Sequence, residues 1–291
     1  EYFKLFTMNS KSEISTEPRK ALGAGGRTGY IKNSDGKRVL FRDASIKMDD
    51  DFFNGYNEEL LTVLENILGE LAASAEIRAI ILRGAGKHFS AGADINWFKE
   101  LAGLSDTEKK RCANLSTSVM RKLFEVPIPT VALVHNGCFG GGVGYAASCD
   151  IVLASDDARF AITEVKVGIT PAPILPQVIS AIGIRHARRY ALTAEQFDVA
   201  EAHRIGLVHE ICPVGKLDEA VEPVIRSILQ AAPEATGDTK KLINKIAASH
   251  FDNGLAEQLA LISSRGRDSL EGIEGFSSFL EKRSPNWHKL D

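Results

Sequence analysis

The stretch FGGGVG at residues 139–144 follows an apolar, β-branched run and precedes a helical pattern. A second turn of small residues, SAGAD at residues 90–94, stands earlier in the chain between the same two kinds of pattern. Glycine and alanine leave the backbone N–H groups of such turns open to a ligand, because no large side chain covers them. Two such donors that meet at one oxygen stabilise negative charge developing there. The two turns therefore predict an enzyme in which the N–H groups of Ala93 and Gly141 bind one oxygen.

Length and composition indicate a globular α/β protein. The 291 residues are 44% hydrophobic and 25% charged, with a net charge of −3, so no basic excess favours a nucleic-acid partner. No apolar run reaches the ~18–20 residues of a membrane span. We expect a cytoplasmic protein, or a mitochondrial one if the source is eukaryotic. Metal-ligand spacing is absent among the cysteines, which we expect to be reduced and mostly buried: Cys112, Cys138, Cys149 and Cys212.

Strands alternate with helices through the first two-thirds of the chain, which predicts largely parallel sheets. Periodicity alone is compatible with a spiral of β/β/α units and with an open doubly wound sheet. An amphipathic helix is predicted over residues 49–73, with Tyr56 among its apolar positions. We divide the chain into a loose N-terminal segment at 1–36, part of it consistent with a tag, a core at 37–215, and a helical region at 216–291 that serves as a trimerisation or lid element.

Glu164 is the candidate acid or base. It stands among apolar residues directly after a strand, where desolvation raises a carboxyl pKa toward the range useful for proton transfer. The alternative is an ordinary salt bridge to Lys166 or to an arginine. In the rigid loop that follows, the N–H group of Ala172 can orient a water or a substrate group.

Other polar and aromatic residues give weaker signals. His135, at the end of a buried strand, is interpreted as structural. Asp94 is better placed to cap the following helix than to perform catalysis. Trp97 and Phe98 are expected to line an apolar wall. The arginines within residues 185–189 are typical of a solvated face.

Together these segments resemble the crotonase superfamily, the enoyl-CoA hydratase/isomerase fold. The matching segments are FSAGAD at 89–94, FGGG at 139–142, CDI at 149–151, FAITEVKVG at 160–168, GLV at 206–208 and FLEKR at 279–283. The resemblance covers roughly residues 77–283. It implies a spiral β/β/α core with a helical C-terminal trimerisation region, homotrimers or homohexamers, and an acyl-CoA substrate. Coenzyme A is then part of the substrate, and neither a separate cofactor nor a metal is expected.

The resemblance also assigns roles to residues. It puts the oxyanion-hole donors at Ala93 and Gly141 and the catalytic carboxylate at Glu164. The residues expected to contact substrate or CoA are Ala91, Asp94, Ile95, Trp97, Gly142, Gly144, Ala172, Phe279 and Lys282.

One departure from the family pattern concerns the reaction itself. Hydratases of the family with two carboxylates carry the second glutamate at the position that Gly144 occupies here. A single glutamate suffices for a proton shuttle between C2 and C4, so the site alone favours a 3-enoyl-CoA to 2-enoyl-CoA isomerase. Whole-chain likeness favours a hydratase, most similar to the bacterial 3-methylglutaconyl-CoA hydratases of leucine breakdown.

We expect hydration of an α,β-unsaturated CoA thioester, with isomerisation as the alternative. Decarboxylation, another CoA-thioester reaction and an inactive CoA-binding protein are further readings. A glutaconyl substrate has a distal carboxylate and would require a cation, for which Lys99, Lys166 and Arg121 are equal candidates.

Overall fold

The computed structural model describes residues 55–74 and 76–288, and the backbone of four strands nearer the N-terminus. The strands are β1 (Phe3–Met8), β2 (Tyr30–Lys32), β3 (Arg38–Leu40), β4 (Arg42–Ser45), β5 (Ala79–Gly84), β6 (Thr130–Val134), β7 (Gly137–Phe139), β8 (Ile151–Ser155), β9 (Arg159–Ala161), β10 (Phe197–Asp198) and β11 (Glu210–Cys212). The helices are α1 (Glu58–Ala72), α2 (Ile95–Ala102), α3 (Asp106–Glu125), α4 (Gly141–Ser148), α5 (Leu175–Thr193), α6 (Val199–Arg204), α7 (Leu217–Gln230), α8 (Pro233–Ala247), α9 (Asn253–Arg267) and α10 (Leu270–Glu281). A short 3-10 helix covers Glu164–Val167.

The larger sheet has six strands in the order β11-β8-β6-β5-β1-β4, and every neighbouring pair is parallel. Its central strands are apolar on both faces, as expected for a parallel sheet that is covered on both sides. In β5, Ile80 and Leu82 pack into the core shared with α1 and α3. Ala79 and Ile81 point to the opposite face, where α7 covers them.

The smaller sheet has the order β10-β9-β7, with β7 and β9 parallel. The chain passes from β6 in the large sheet to β7 in the small sheet and then to α4, and it repeats this path through β8, β9 and α5. An abbreviated unit precedes them, because Ser90 follows β5 and forms a parallel bridge to Cys138 of β7. These β/β/α units confirm the predicted α/β class and favour the spiral arrangement.

The C-terminal helices contact the sheet region through two buried cationic side chains, Lys240 and Arg78. Lys240 of α8 pairs with Asp150 at 2.7 Å, and the Asp150 carboxylate also accepts a bond from the Thr130 N–H group. The guanidinium of Arg78 donates to backbone carbonyls at the end of α7. The prediction of a wholly helical region after residue 216 is confirmed. None of the helices in the described ranges has the length and apolarity to cross a bilayer.

The structure corrects several predicted elements. α1 begins at Glu58, because the Asn57 side chain caps it by accepting from the Leu60 N–H group at 3.0 Å; residues 49–54 of the predicted helix lie outside the described residues. Tyr56 lies before the helix and bridges to Ala93. β7 and the 3-10 helix were not predicted. Most of the segment 1–36 lies outside the described residues.

Candidate active site

The smaller sheet brings the three predicted catalytic positions to one edge. Ser90 bridges Cys138 in parallel, and β7 runs parallel to β9, so three successive strand segments end on the same side. Ala93 stands three residues after Ser90, Gly141 three residues after Cys138, and Glu164 directly beyond β9. The carboxyl ends of parallel strands are the usual place for a ligand site in α/β folds.

The two small-residue turns pack against each other through their backbones. A Cβ atom on Gly92, whose φ is +95°, would lie 3.1 Å from the Phe139 carbonyl oxygen. A Cβ atom on Gly142 would lie 2.9 Å from the Ser90 Cβ atom. The Phe139 N–H group donates to the Ser90 carbonyl at 2.9 Å. Side chains at positions 92 and 142 are therefore excluded where the segments that carry Ala93 and Gly141 meet.

The amides on either side of Ala93 are engaged. The Gly92 N–H group donates to the Ser90 hydroxyl at 3.2 Å, and the Asp94 N–H group donates to the Tyr56 carbonyl at 2.9 Å. Successive amides of an extended chain point in opposite directions. The Ala93 N–H group therefore faces away from Tyr56, which leaves it available to an acceptor on the other side.

Gly141, the second predicted donor, is the first residue of α4. The N–H groups of a first helical turn have no acceptor within the helix, and the helix dipole favours negative charge beside them. The preceding Gly140 has φ +51° and ψ −123° and caps the helix without a side-chain bond. That conformation is strained for any residue with a Cβ atom, so glycine is required there.

Glu164 lies directly against this helix start. Its Oε1 atom would be 3.3 Å from a Cβ atom on Gly140, and its Oε2 atom is buried without a hydrogen-bond partner among the described residues. Burial raises the pKa of the Glu164 carboxyl, against a lowering by the backbone N–H groups of Glu164 and Thr163. The described ion pairs do not include Glu164, and Lys166 is exposed, so the salt-bridge alternative finds no support.

Tyr56 is a site residue that sequence reasoning missed. Its ring lies on Gly141, since a Cβ atom there would be 2.3 Å from the Tyr56 Cε1 atom and 2.9 Å from its hydroxyl oxygen. Edge-to-face contacts with Trp97 and Tyr145 fix the ring, with centroid distances of 6.1 and 5.9 Å. Burial, and then the charge of Glu164, raise the pKa of Tyr56. Asn57 was the available signal, because an N-cap residue there places Tyr56 outside the helix.

Gly144 faces a side chain and not a cleft. A Cβ atom on Gly144 would lie 2.2 Å from the Cγ2 atom of Ile174 and 3.4 Å from the Cε atom of Met120. Ile174 is itself buried. The space in which a side chain at position 144 would stand is therefore filled by hydrocarbon.

The expected substrate contacts near the first turn are spread over several environments. Asp94 accepts from the Asn96 N–H group at 2.8 Å and caps α2, as predicted. Ile95 is exposed, whereas Trp97 is buried and stacks on Phe98. Ala91 is half-buried. Contacts of these residues with CoA stay predictions.

The remaining predicted residues lie on other surfaces. Ala172 is exposed in the loop before α5. Phe279 and Lys282 are exposed at the end of α10, and a role in CoA binding stays a prediction. His135 contacts the Gly86 carbonyl through Nε2 at 3.0 Å, a contact that suits the structural role predicted for it.

The described residues contain no group of three or more His, Cys, Asp or Glu side chains placed to hold a metal ion. All four cysteine side chains are buried.

Comparison with known proteins identifies the family of this chain. The enoyl-CoA hydratase/isomerase family profile matches residues 44–290. The short-chain-enoyl-CoA hydratase of Clostridium acetobutylicum is 35% identical over 232 residues, which is 79% of this chain and 87% of that protein. The mitochondrial Delta(3,5)-Delta(2,4)-dienoyl-CoA isomerase of Dictyostelium discoideum is 32% identical over 248 residues, 82% of each chain.

A solved structure shows the same architecture. The crystal structure of an enoyl-CoA hydratase from Shewanella pealeana superposes with a TM-score of 0.79 at 35% identity, covering 81% of this chain and 89% of that one. The fold is thus the crotonase-type spiral. The chain belongs to the enoyl-CoA hydratase/isomerase family.

The packing at Gly144 predicts a stability effect. Gly144→Ala should lower the free energy of unfolding by about 1–3 kcal/mol, the usual cost of overpacking a core, because the new methyl group overlaps Ile174. Gly69→Ala is the matched control, since it lies within α1 with no atom within 4 Å of its Cβ position. Alanine there should stabilise the helix by up to ~1 kcal/mol. Urea unfolding of both variants measures the difference, and equal stability of Gly144→Ala and wild type would contradict the packing.

The raised pKa of Glu164 predicts a pH-dependent stability. A carboxyl group whose folded pKa exceeds its unfolded pKa binds its proton better in the native state, so stability is lost as pH rises between the two values. Glu164→Gln should therefore unfold at higher denaturant concentration than wild type near pH 7. The gain should shrink toward zero below the unfolded pKa of about 4.3. A gain that is the same at pH 4 and pH 7 would show that burial does not penalise the charged form.

Proposed function

We propose that this chain hydrates α,β-unsaturated acyl-CoA thioesters, with Glu164 as its single acid/base group. The observation that carries the proposal is the buried Oε2 atom of Glu164 beside the start of α4, which has no hydrogen-bond partner within the described part of the chain. Burial raises the pKa of this carboxyl group, which moves it toward the range suited to accepting and returning a proton.

In this proposal the thioester oxygen accepts hydrogen bonds from the N–H groups of Ala93 and Gly141. These bonds strengthen as the carbonyl becomes an enolate, so they lower the barrier and not merely the free energy of the bound substrate. Loss of one such donor typically costs about 10²–10³ in rate. The start of α4 adds the favourable end of a helix dipole to the same point.

Hydration then needs one proton to move twice. Water attacks C3 while Glu164 takes one of its protons, the C2=C3 electron pair shifts into the enolate, and Glu164 returns the proton to C2. The product is a 3-hydroxyacyl-CoA, and Glu164 ends the cycle in its starting state. Likeness to the Clostridium short-chain-enoyl-CoA hydratase supports this choice of reaction.

Isomerisation of a 3-enoyl-CoA to a 2-enoyl-CoA is the second candidate, and Ile174 favours it. With hydrocarbon over Gly144, a second carboxylate to hold the attacking water has no room there. Glu164 would take a proton from C2 and return it to C4 through the same enolate. Likeness to the Dictyostelium dienoyl-CoA isomerase supports a role of this kind.

The acyl group is proposed to be short, with 3-methylglutaconyl-CoA as one candidate. Its distal carboxylate would need a cation, and the three candidates differ in their surroundings. Lys99 and Lys166 are exposed, whereas Arg121 pairs with Glu125 at 3.8 Å. A cytoplasmic location and the leucine pathway stay predictions.

Three substrates separate these reactions. Crotonyl-CoA and 3-methylglutaconyl-CoA should lose the ultraviolet absorbance of the conjugated thioester if the protein hydrates them. A 3-enoyl-CoA should gain that absorbance if the protein isomerises it. Glu164→Gln should lower the rate on the active substrate by at least about 10²-fold, within the range for loss of a general acid/base, while CoA affinity stays unchanged.

Glu219→Gln is the matched control for this variant, because Glu219 is an exposed glutamate paired with Lys216, and it should keep wild-type activity. Full activity in Glu164→Gln would remove Glu164 from the mechanism. Inactivity of the wild type on all three substrates, together with tight CoA binding, would favour a CoA-binding protein instead.

A homotrimer or homohexamer is proposed as the assembly. α10 carries large apolar side chains that are each more than half exposed in the single chain, namely Leu270, Ile273, Phe276, Phe279 and Leu280. An apolar stripe of this extent is typical of a protein interface. Their three-residue spacing keeps most of them on one side of the helix.

Mass measurement by light scattering tests the assembly. Wild type should have three or six times the chain mass, and Phe276→Glu should shift the population toward smaller species by placing a charge in the interface. Lys110→Glu, on the exposed side of α3, should leave the mass unchanged. A monomeric wild type would contradict the proposal.

A further inference from the structure

Tyr56 occupies an unusual position between the elements of the proposed site. Its backbone is bonded on both sides of Ala93, through Tyr56 N–H to the Gly92 carbonyl and Asp94 N–H to the Tyr56 carbonyl, each at 2.9 Å. Its ring lies on the Cα atom of Gly141. One residue therefore contacts the segments that present both backbone donors.

The phenol oxygen lies at this junction as well. It would be 2.9 Å from a Cβ atom on Gly141, so it stands next to the residue whose N–H group is the second donor. Contacts with Trp97 and Tyr145 hold the ring from two other sides. The hydroxyl position is therefore set by packing before any ligand binds.

The phenol is also in the correct protonation state to donate. Burial and the neighbouring Glu164 charge both raise the pKa of Tyr56, so it keeps its proton through the neutral range. A neutral O–H group in a partly desolvated site is a stronger donor to an anion than the same group in water.

We infer that Tyr56 is a catalytic residue whose O–H group is a third donor to the enolate oxygen, beside the N–H groups of Ala93 and Gly141. The inference rests on the proposed function, because it needs an enolate in this position. The Tyr56 hydroxyl would be a side-chain donor to the developing negative charge. The space beside Gly144, by contrast, is filled by Ile174.

Tyr56→Phe tests the inference, because it removes one oxygen and keeps the ring on Gly141. The variant should lower kcat about tenfold to hundredfold, the range for loss of a hydrogen bond to a charged group, with KM nearly unchanged. Tyr145→Phe is the matched control: its hydroxyl is buried without a partner among the described residues, and its ring contacts that of Tyr56. The control should keep kcat within about twofold of wild type.

Acetoacetyl-CoA gives a readout that turnover does not. It binds as an enolisable thioester, and its enolate absorbs in the near ultraviolet, so a pH titration of the complex reports how well the site stabilises the enolate. In Tyr56→Phe the midpoint of enolate formation should move up by about one to two pH units, which is the same tenfold to hundredfold change. In Tyr145→Phe it should stay at the wild-type value.

Three outcomes overturn the inference. If wild type stabilises the enolate and Tyr56→Phe does so equally, Tyr56 is a packing residue and the proposed function stands. If wild type binds acetoacetyl-CoA without stabilising its enolate, the proposed function fails and the inference fails with it. A rise in KM with an unchanged midpoint would likewise assign Tyr56 to substrate packing.

Discussion

The candidate site depends on glycines, which have no Cβ atom and so let neighbouring segments approach the backbone closely. Four glycines of the run at residues 140–144 each have a side chain of another segment in or near the space where their own side chain would begin, and the closest atom of each covering residue named next lies 2.2–3.3 Å from the Cβ position. The covering side chains are Glu164 over Gly140, Tyr56 over Gly141, Ser90 over Gly142 and Ile174 over Gly144. Only glycine permits such close approach. The start of α4 therefore contacts the Glu164 carboxyl, the Tyr56 phenol and the turn that follows Ser90.

The carboxyl group of Glu164 lies beside a helix start without an ion-pair partner among the described residues. The helix dipole would attract a carboxylate, yet the dominant influence on Glu164 is burial, which raises its pKa. Ile174, buried over Gly144, leaves no space for a side chain there. In the proposed mechanism, the N–H group of Gly141 at the start of α4 stabilises the oxygen on which charge develops, and the neighbouring Glu164 carboxyl moves the proton.

Patterns among residues close together in the chain predicted much of the fold and of the candidate site. The glycine run and the capping of α2 by Asp94 were both recognised, because each depends on residues close together in the chain. The desolvation of Glu164 was predicted from its apolar neighbours. The parallel units followed from the alternation of strands and helices.

What the sequence could not supply depends on distant contacts. Tyr56 was assigned to a helix because its spacing fits an apolar stripe, and only the bridge to Ala93 reveals its place. The partner of position 144 lies 30 residues away at Ile174, and no local pattern pairs them. β7 has three residues, too few for periodicity to detect. Hydration and isomerisation proceed through the same enolate. Which reaction the protein catalyses therefore depends on how substrate and water are placed, and a sequence pattern does not reveal that placement.

The central claim is that the backbone N–H groups of Ala93 and Gly141 bind one thioester oxygen opposite the Glu164 carboxyl group. A crystal structure of the protein with a bound enoyl-CoA or its product tests this most directly. The account predicts a thioester oxygen about 2.7–3.1 Å from both amide nitrogens, with the Glu164 carboxyl facing C2. A thioester oxygen bonded to neither amide, or a Glu164 side chain turned away from the acyl carbons, would contradict it.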